Sequence, residues 1–210
     1  MLRRSFIVAL ALCVLGAGPP CPSQDTFQEE ADRLATLLNW HPGDVVAEIG
    51  ASNGKLTLAA AHLVGPSGKV YSTELDAKAL AHLEELAAKE TNITVVKAAE
   101  AETNLPPGCC DSIFMRLVYH HLTRPAEVDA SLFRSLKPGG RLAVIDEDPC
   151  EGTSIPDGVP KNRGGHGVPE KILIGELIAA GFEVESVDND WPSRDAFHQI
   201  YCVVFRKTKS

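Results

Sequence analysis

The chain reads as an α/β protein, a Rossmann-like doubly wound seven-stranded sheet that is mostly parallel with an antiparallel last strand. Three observations predict this. Short apolar runs such as VVAEIG, KVYSTEL and ITVVKA alternate with amphipathic stretches of helical period. A glycine-bearing turn, GASNG, joins the first run to its helix. Two closing runs, FEVESVDND and HQIYCVVFRK, follow one another with no helix between them, which predicts an antiparallel pair.

Each element has its own justification. In DTFQEEADRLATLLNW, Phe27, Ala31, Leu34, Leu37 and Leu38 recur at helical spacing, with acids in the first turn and Asp25 or Thr26 as cap. His41-Pro-Gly-Asp breaks that helix, VVAEIG follows as a buried strand, and KLTLAAAHLVG is a helix stopped at Gly65-Pro66. KVYSTEL is the second strand. DAKALAHLEELAAKE is a helix with Leu80, Leu83, Leu86 and Ala87 on one face, and ITVVKA is the third strand. After the loop LPPGCC, DSIFMRLVYHHL reads as the fourth strand, PAEVDASLFRSL as a helix, and RLAVIDE as the fifth strand behind Lys137-Pro-Gly-Gly. Residues 149–168 are a loop rich in glycine and proline, and PEKILIGELIAAG is the last helix.

A length of 210 residues predicts one domain, assigned here to residues 24–210. Residues 1–23 read as a signal-like leader, with a basic start at Arg3 and Arg4, an apolar run from Phe6 to Leu15, then small and proline residues. Export is the expectation, with only transient contact between leader and membrane; a retained or mis-started leader would leave the chain in the cytoplasm. The formal net charge is −8, and setting aside Arg3 and Arg4 takes the remainder to −10. Such a balance repels phosphate backbones and argues against nucleic acid as a partner. The six cysteines form no C-x-x-C pair, so neither a zinc ribbon nor a thioredoxin-like site is expected.

The turn after the first strand carries the first functional signal. A strand entering a helix through glycines presents backbone amides at the carboxyl edge of a sheet, where ligands bind. The order Gly50-Ala51-Ser52-Asn53-Gly54 is a poor dinucleotide fingerprint, and Glu48 just before it suits a cationic or amino-bearing ligand.

From residue 27 to the end the sequence resembles the class I S-adenosylmethionine-dependent methyltransferases. E-I-G-A-S-N-G is similar to their first motif, with Ser52 in place of the middle glycine. Glu74, ending KVYSTEL, matches the acid that takes both ribose hydroxyls, with Leu75 beside it. AAEAETNLP resembles the adenine-holding segment of Glu100, Ala101 and Glu102; the two acids compete for the exocyclic amine, with Glu102 favoured. The stretch from Cys110 to Asp146 is similar to the family's fourth strand, helix, Pro-Gly-Gly turn and fifth strand, and it contains Arg116. The resemblance implies S-adenosyl-L-methionine as cofactor, held by Glu48, Gly50, Ala51, Ser52, Gly54, Glu74, Leu75, Glu100, Ala101, Glu102 and Arg116, and a small-molecule methyl acceptor.

Methyl transfer from a sulfonium is an in-line displacement that needs positioning and, for some acceptors, a proton acceptor. His120 and His121 at the end of the fourth strand, Asp146 at the end of the fifth, and His166 in the long loop are the catalytic candidates. Strand alternation predicts that only one of His120 and His121 faces the ligand. No metal site is assigned, because the chain lacks the acid and Asp-Asn pattern of the magnesium-dependent catechol-type enzymes. A non-catalytic S-adenosylmethionine-binding protein and a nicotinamide-linked oxidoreductase are the alternative functions; the oligomeric state is not legible.

Overall fold

The computed structural model describes residues 24–150, 152–192 and 199–208; the leader expected over 1–23 lies outside them. Seven strands form one sheet: β1 (Val45–Ile49), β2 (Lys69–Glu74), β3 (Ile93–Lys97), β4 (Cys110–Arg116), β5 (Leu136–Glu147), β6 (Phe182–Trp191) and β7 (Ile200–Lys207). Their order is β3-β2-β1-β4-β5-β7-β6, and β7 runs antiparallel to both neighbours while all other pairings are parallel. This is the sheet the sequence predicts.

Five helices cover it: α1 (Gln24–Leu38), α2 (Lys55–Val64), α3 (Ala77–Ala87), α4 (Pro125–Ser135) and α5 (Glu170–Ala179). Strand alternation divides the core between the two faces. Val46, Phe114, Ala143 and Val204 pack beneath Leu34 and Leu38 of α1 and Ala60 and Val64 of α2. Their neighbours Ala47, Ile113, Val144 and Val203 pack against Leu132 of α4 and Leu173 and Leu177 of α5. The sheet interior is therefore apolar on both sides, as parallel strands under helices require.

Three boundaries differ from the sequence reading. The first helix begins at Gln24, so Asp25 and Thr26 lie within its first turn rather than capping it. The fifth strand starts at Leu136 and takes in Lys137-Pro-Gly-Gly through a register shift between Cys110 and Ser112. The fourth strand stops at Arg116: Leu117 adopts a left-handed φ of 54°, and Tyr119–His121 form a single 3-10 turn. The parallel strands β1, β2, β4 and β5 all end on the same edge, where these departures gather.

Candidate active site

The turn from β1 to α2 is built on three left-handed residues, Gly50 (φ 70°), Ser52 (φ 49°) and Gly54 (φ 69°). A Cβ on Gly50 would stand 2.6 Å from Val118 Cγ2, and one on Gly54 would stand 2.8 Å from Leu83 Cδ2, so both positions exclude a side chain. Ser52 holds the conformation of the glycine it replaces, at a cost of roughly 1–2 kcal/mol for a residue with a Cβ. Ala51 is tied to β2 through its amide and Thr73 O at 2.9 Å.

Glu74 meets this turn from the end of β2. Its Oε2 accepts the Ser52 amide at 2.9 Å, and Oε1 accepts the amides of Leu75 at 2.7 Å and Asp76 at 3.3 Å. Beyond it opens a cleft lined by Gly50, Glu74, Leu75, Glu100, Glu102 and Val118 among others. Leu75 is 55% exposed and offers an apolar wall beside an acid. Glu100 and Ala101 occupy the tip of a tight turn closed by the Ala99 amide on Glu102 O at 2.8 Å.

The two acids of that turn have different surroundings. Glu102 accepts from Ser131 and, at 2.6 and 2.5 Å, from Arg134; the Ser131 hydroxyl first, and then Arg134, hold its carboxyl below the usual range. Glu100 accepts only the Thr123 hydroxyl, at 2.7 Å, among the described contacts, and is exposed at the cleft. Both acids line the cleft, Glu102 engaged by its ion pair and Glu100 with more of its carboxylate open to an incoming amine.

Glu48 and Arg116 also lie elsewhere than expected. Glu48 is 4% exposed beneath the turn and accepts the hydroxyl of Thr57, which is linked in turn to Ser72 at 2.9 Å. Burial pushes its carboxyl up to about 8. A carboxyl that is protonated at neutral pH is not the anion expected to attract a cationic ligand. Arg116 donates its Nε to Glu30 of α1 at 2.8 and 3.0 Å, and Trp191 Nε1 reaches the same carboxylate at 3.0 Å. The Glu30 carboxylate thus ties α1 to β4 through Arg116 and to β6 through Trp191.

The histidines sit on the same sheet edge. Asp146, fully buried at the end of β5, accepts from the His120 amide at 3.2 Å, lies 2.5 Å from His120 Nδ1, and accepts the Glu147 amide at 2.8 Å. With Nδ1 donating to that carboxylate, a neutral ring keeps its lone pair on Nε2, which is buried without a hydrogen-bond partner among the described residues. His166 Nδ1 stands 3.2 Å from Glu147 Oε1. The ring centroids of His120 and His121 are 4.0 Å apart, those of His120 and His166 4.7 Å, and those of His121 and His166 5.2 Å. Partial burial, then the charges of its two neighbours, hold the His121 imidazole below its ordinary value. His120 and His121 lie on a 3-10 turn rather than on the strand, so strand alternation does not decide which of them faces the site; His120 is buried and His121 exposed.

One set of residues escaped sequence reading. Arg163, in the long loop and fully buried, donates to Glu176 of α5 at 3.1 and 2.9 Å and lies over the Tyr119 ring. The Tyr119 hydroxyl lies 2.9 Å from both Asp129 and Glu176, and burial raises the Asp129 carboxyl to about 7. This network fastens the 149–168 loop, with His166, against the turn that carries His120 and His121. An arginine among glycines gives no periodic signal of its burial.

Comparison with known proteins follows the same lines. A family model described as a methyltransferase domain matches residues 47–144. The chain is 32% identical over 107 residues to the ubiquinone/menaquinone biosynthesis C-methyltransferase UbiE of Pseudomonas paraeruginosa, covering 50% of this chain and 42% of that protein. It thus spans less than half the length of the curated relatives it matches first. Among solved structures, an S-adenosylmethionine-dependent methyltransferase from Aquifex aeolicus aligns with a TM-score of 0.68 at 21% identity, over 89% of this chain and 99% of that one. The [4+2]-cyclase SpnF aligns with a TM-score of 0.71 at 15% identity, over 87% and 82%. At these identities the structural likeness speaks for the fold.

Proposed function

We propose that the chain is a class I S-adenosylmethionine-dependent methyltransferase that transfers a methyl group from S-adenosylmethionine to a small-molecule acceptor, a reading supported by the methyltransferase-domain match over residues 47–144 and by the likeness to curated and solved methyltransferases. The observation that carries the reading is the junction of Glu74 with the Ser52 amide at the mouth of an open cleft, on the sheet edge that also bears the histidine cluster. When bound, the cofactor supplies a methyl carbon on a sulfonium. Glu74 would take the ribose hydroxyls, its carboxylate having lone pairs beyond the amides it already accepts. Leu75 would wall one side of the adenine, Glu100 would accept its amine, and the amides of the Gly50–Gly54 turn would face the remainder.

The acceptor would lie beside the cluster of His120, His121 and His166 on the same sheet edge. Val118 links the two halves of the site: it packs on Gly50 and stands two residues before His120. The net negative charge of the sequence disfavours nucleic acid as acceptor. The similarity to a quinone-pathway C-methyltransferase supports a small acceptor; the similarity to a cyclase is the reason turnover must be measured as well as binding. The order of basic and apolar residues in 1–23 supports export, which the N-terminal sequence of the mature protein would test.

Calorimetric titration with S-adenosylmethionine, and separately with its demethylated product, tests the cofactor. Micromolar binding of either supports the reading. A folded, monodisperse sample that binds neither overturns it.

A further inference from the structure

We propose that His120, His121 and His166 form a binding site for one divalent transition-metal ion beside the cofactor cleft. One ligand nitrogen from each ring lies within 4.8 Å of the other two. Nitrogens around a tetrahedral ion sit roughly 3.3–3.5 Å apart, so the most distant pair needs to close by up to about 1.5 Å. His121 and His166 have the room to do so, the first being exposed and the second 43% exposed at its side chain.

His120 supplies the independent argument. Its side chain is 3% exposed, its Nδ1 is engaged by Asp146, and its Nε2, on the far side of the ring, is buried without a partner. A buried nitrogen lone pair left unsatisfied is costly, and a metal ion is a partner that only a lone pair can serve. The carboxylate behind the ring fixes the tautomer and increases the basicity of the coordinating nitrogen, the outer-shell arrangement of histidine ligands generally. Glu147 stands behind His166 in the same way. Three imidazoles select zinc, iron, nickel or copper over magnesium and calcium, and a three-histidine set leaves a position open, as catalytic rather than structural sites do.

The open position names an acceptor class. Resting on the function proposed above, it would take a hydroxyl of the acceptor, whose proton would pass to water at lower pH than in the free molecule because the ion stabilises the oxyanion. The acceptor would then be a hydroxyl-bearing small molecule.

The test uses the untagged full chain, stripped by chelator, titrated with zinc by calorimetry and with cobalt by visible absorption. The expected result is one equivalent bound at micromolar affinity or tighter, with cobalt bands of a low-coordinate nitrogen site. His121→Ala and His166→Ala, both on exposed side chains, should each weaken binding at least tenfold, and Asp146→Asn by about 10- to 100-fold with the imidazole retained. Absence of a saturable equivalent, or unchanged affinity in the folded His121→Ala/His166→Ala double variant, would overturn the proposal. Titrating the same stripped protein with S-adenosylmethionine reads the cofactor site separately, so failure of one reading is distinguishable from failure of the other.

Discussion

The backbone amide of Ser52 donates to the carboxylate of Glu74 at 2.9 Å, joining the turn after β1 to the end of β2 across 22 residues of chain. The carboxylate thereby shapes the turn as well as waiting at the cleft. Glu74→Ala should weaken S-adenosylmethionine by on the order of 1–3 kcal/mol, through lost ribose hydrogen bonds and a looser turn. Calorimetry on the folded variant checks this; unchanged affinity would remove the ribose from Glu74.

Ser52 carries a Cβ in a left-handed conformation, φ 49°, that glycine adopts without strain. Ser52→Gly should therefore relieve strain in the native state, partly offset by the greater freedom glycine adds to the unfolded chain. The expected net effect is a gain of roughly 0.5–1 kcal/mol in unfolding free energy, with cofactor affinity equal or better. A loss of stability in urea denaturation would show that the serine side chain contributes more than the strain removes.

The fold was legible because period and punctuation agreed at nearly every element. Along β1 and β4, pairs such as Val46 and Ala47 or Ile113 and Phe114 are apolar on both faces, which only a covered parallel strand requires. The end of the fourth strand was not legible: LVYHHL continues the apolar pattern, but the chain leaves the sheet at Leu117 through a left-handed φ that no residue type announces there. That single departure turned two histidines expected on opposite faces into one cluster. The partners of Glu48, Glu102 and Arg116 were not legible for another reason. The positions of these three along the chain fit the motif, whereas their roles depend on Thr57, on Ser131 with Arg134, and on Glu30, partners remote enough that only the folded chain brings them together.

The buried carboxyl of Glu48 makes stability depend on pH with a defined sign. Its folded value of about 8 lies above the ordinary 4.5, so the folded state holds the proton more tightly than the unfolded state. Stability then falls as pH rises from about 4.5 to about 8, by an amount on the order of a few kcal/mol, and is unaffected by this group above that window. Glu48→Gln keeps an acceptor for Thr57 and removes the titration. Denaturant midpoints at pH 5 and pH 8 should differ less in the variant than in the parent; the residual slope belongs in part to Asp129, whose carboxyl is raised to about 7. Equal slopes in the two proteins would mean that Glu48 is ionised in the fold.

Arg163 has no exposed surface and pairs with Glu176, which also lies within reach of the Tyr119 hydroxyl. Removing the guanidinium alone leaves a largely enclosed carboxylate without its counter-charge, a loss of about 3–5 kcal/mol for buried pairs. Arg163→Met should therefore lower the melting temperature by roughly 6–20 °C in a chain of this size. Replacing both partners, Arg163→Met with Glu176→Leu, removes the uncompensated charge together with the pair and should recover much of the loss. If the double variant is no more stable than Arg163→Met, the energy resides in the stacking of Arg163 on Tyr119 and in the packing of the loop, rather than in the ion pair. The comparison also bears on the site, because the loop that Arg163 fastens delivers His166: its amide is held by Thr153 Oγ1 at 2.8 Å and its carbonyl by the Cys150 amide at 3.0 Å. Loosening the anchor should therefore weaken zinc binding in Arg163→Met at temperatures where the protein remains folded, whereas a fall in stability with full metal affinity would show that the loop keeps His166 in place without the buried pair.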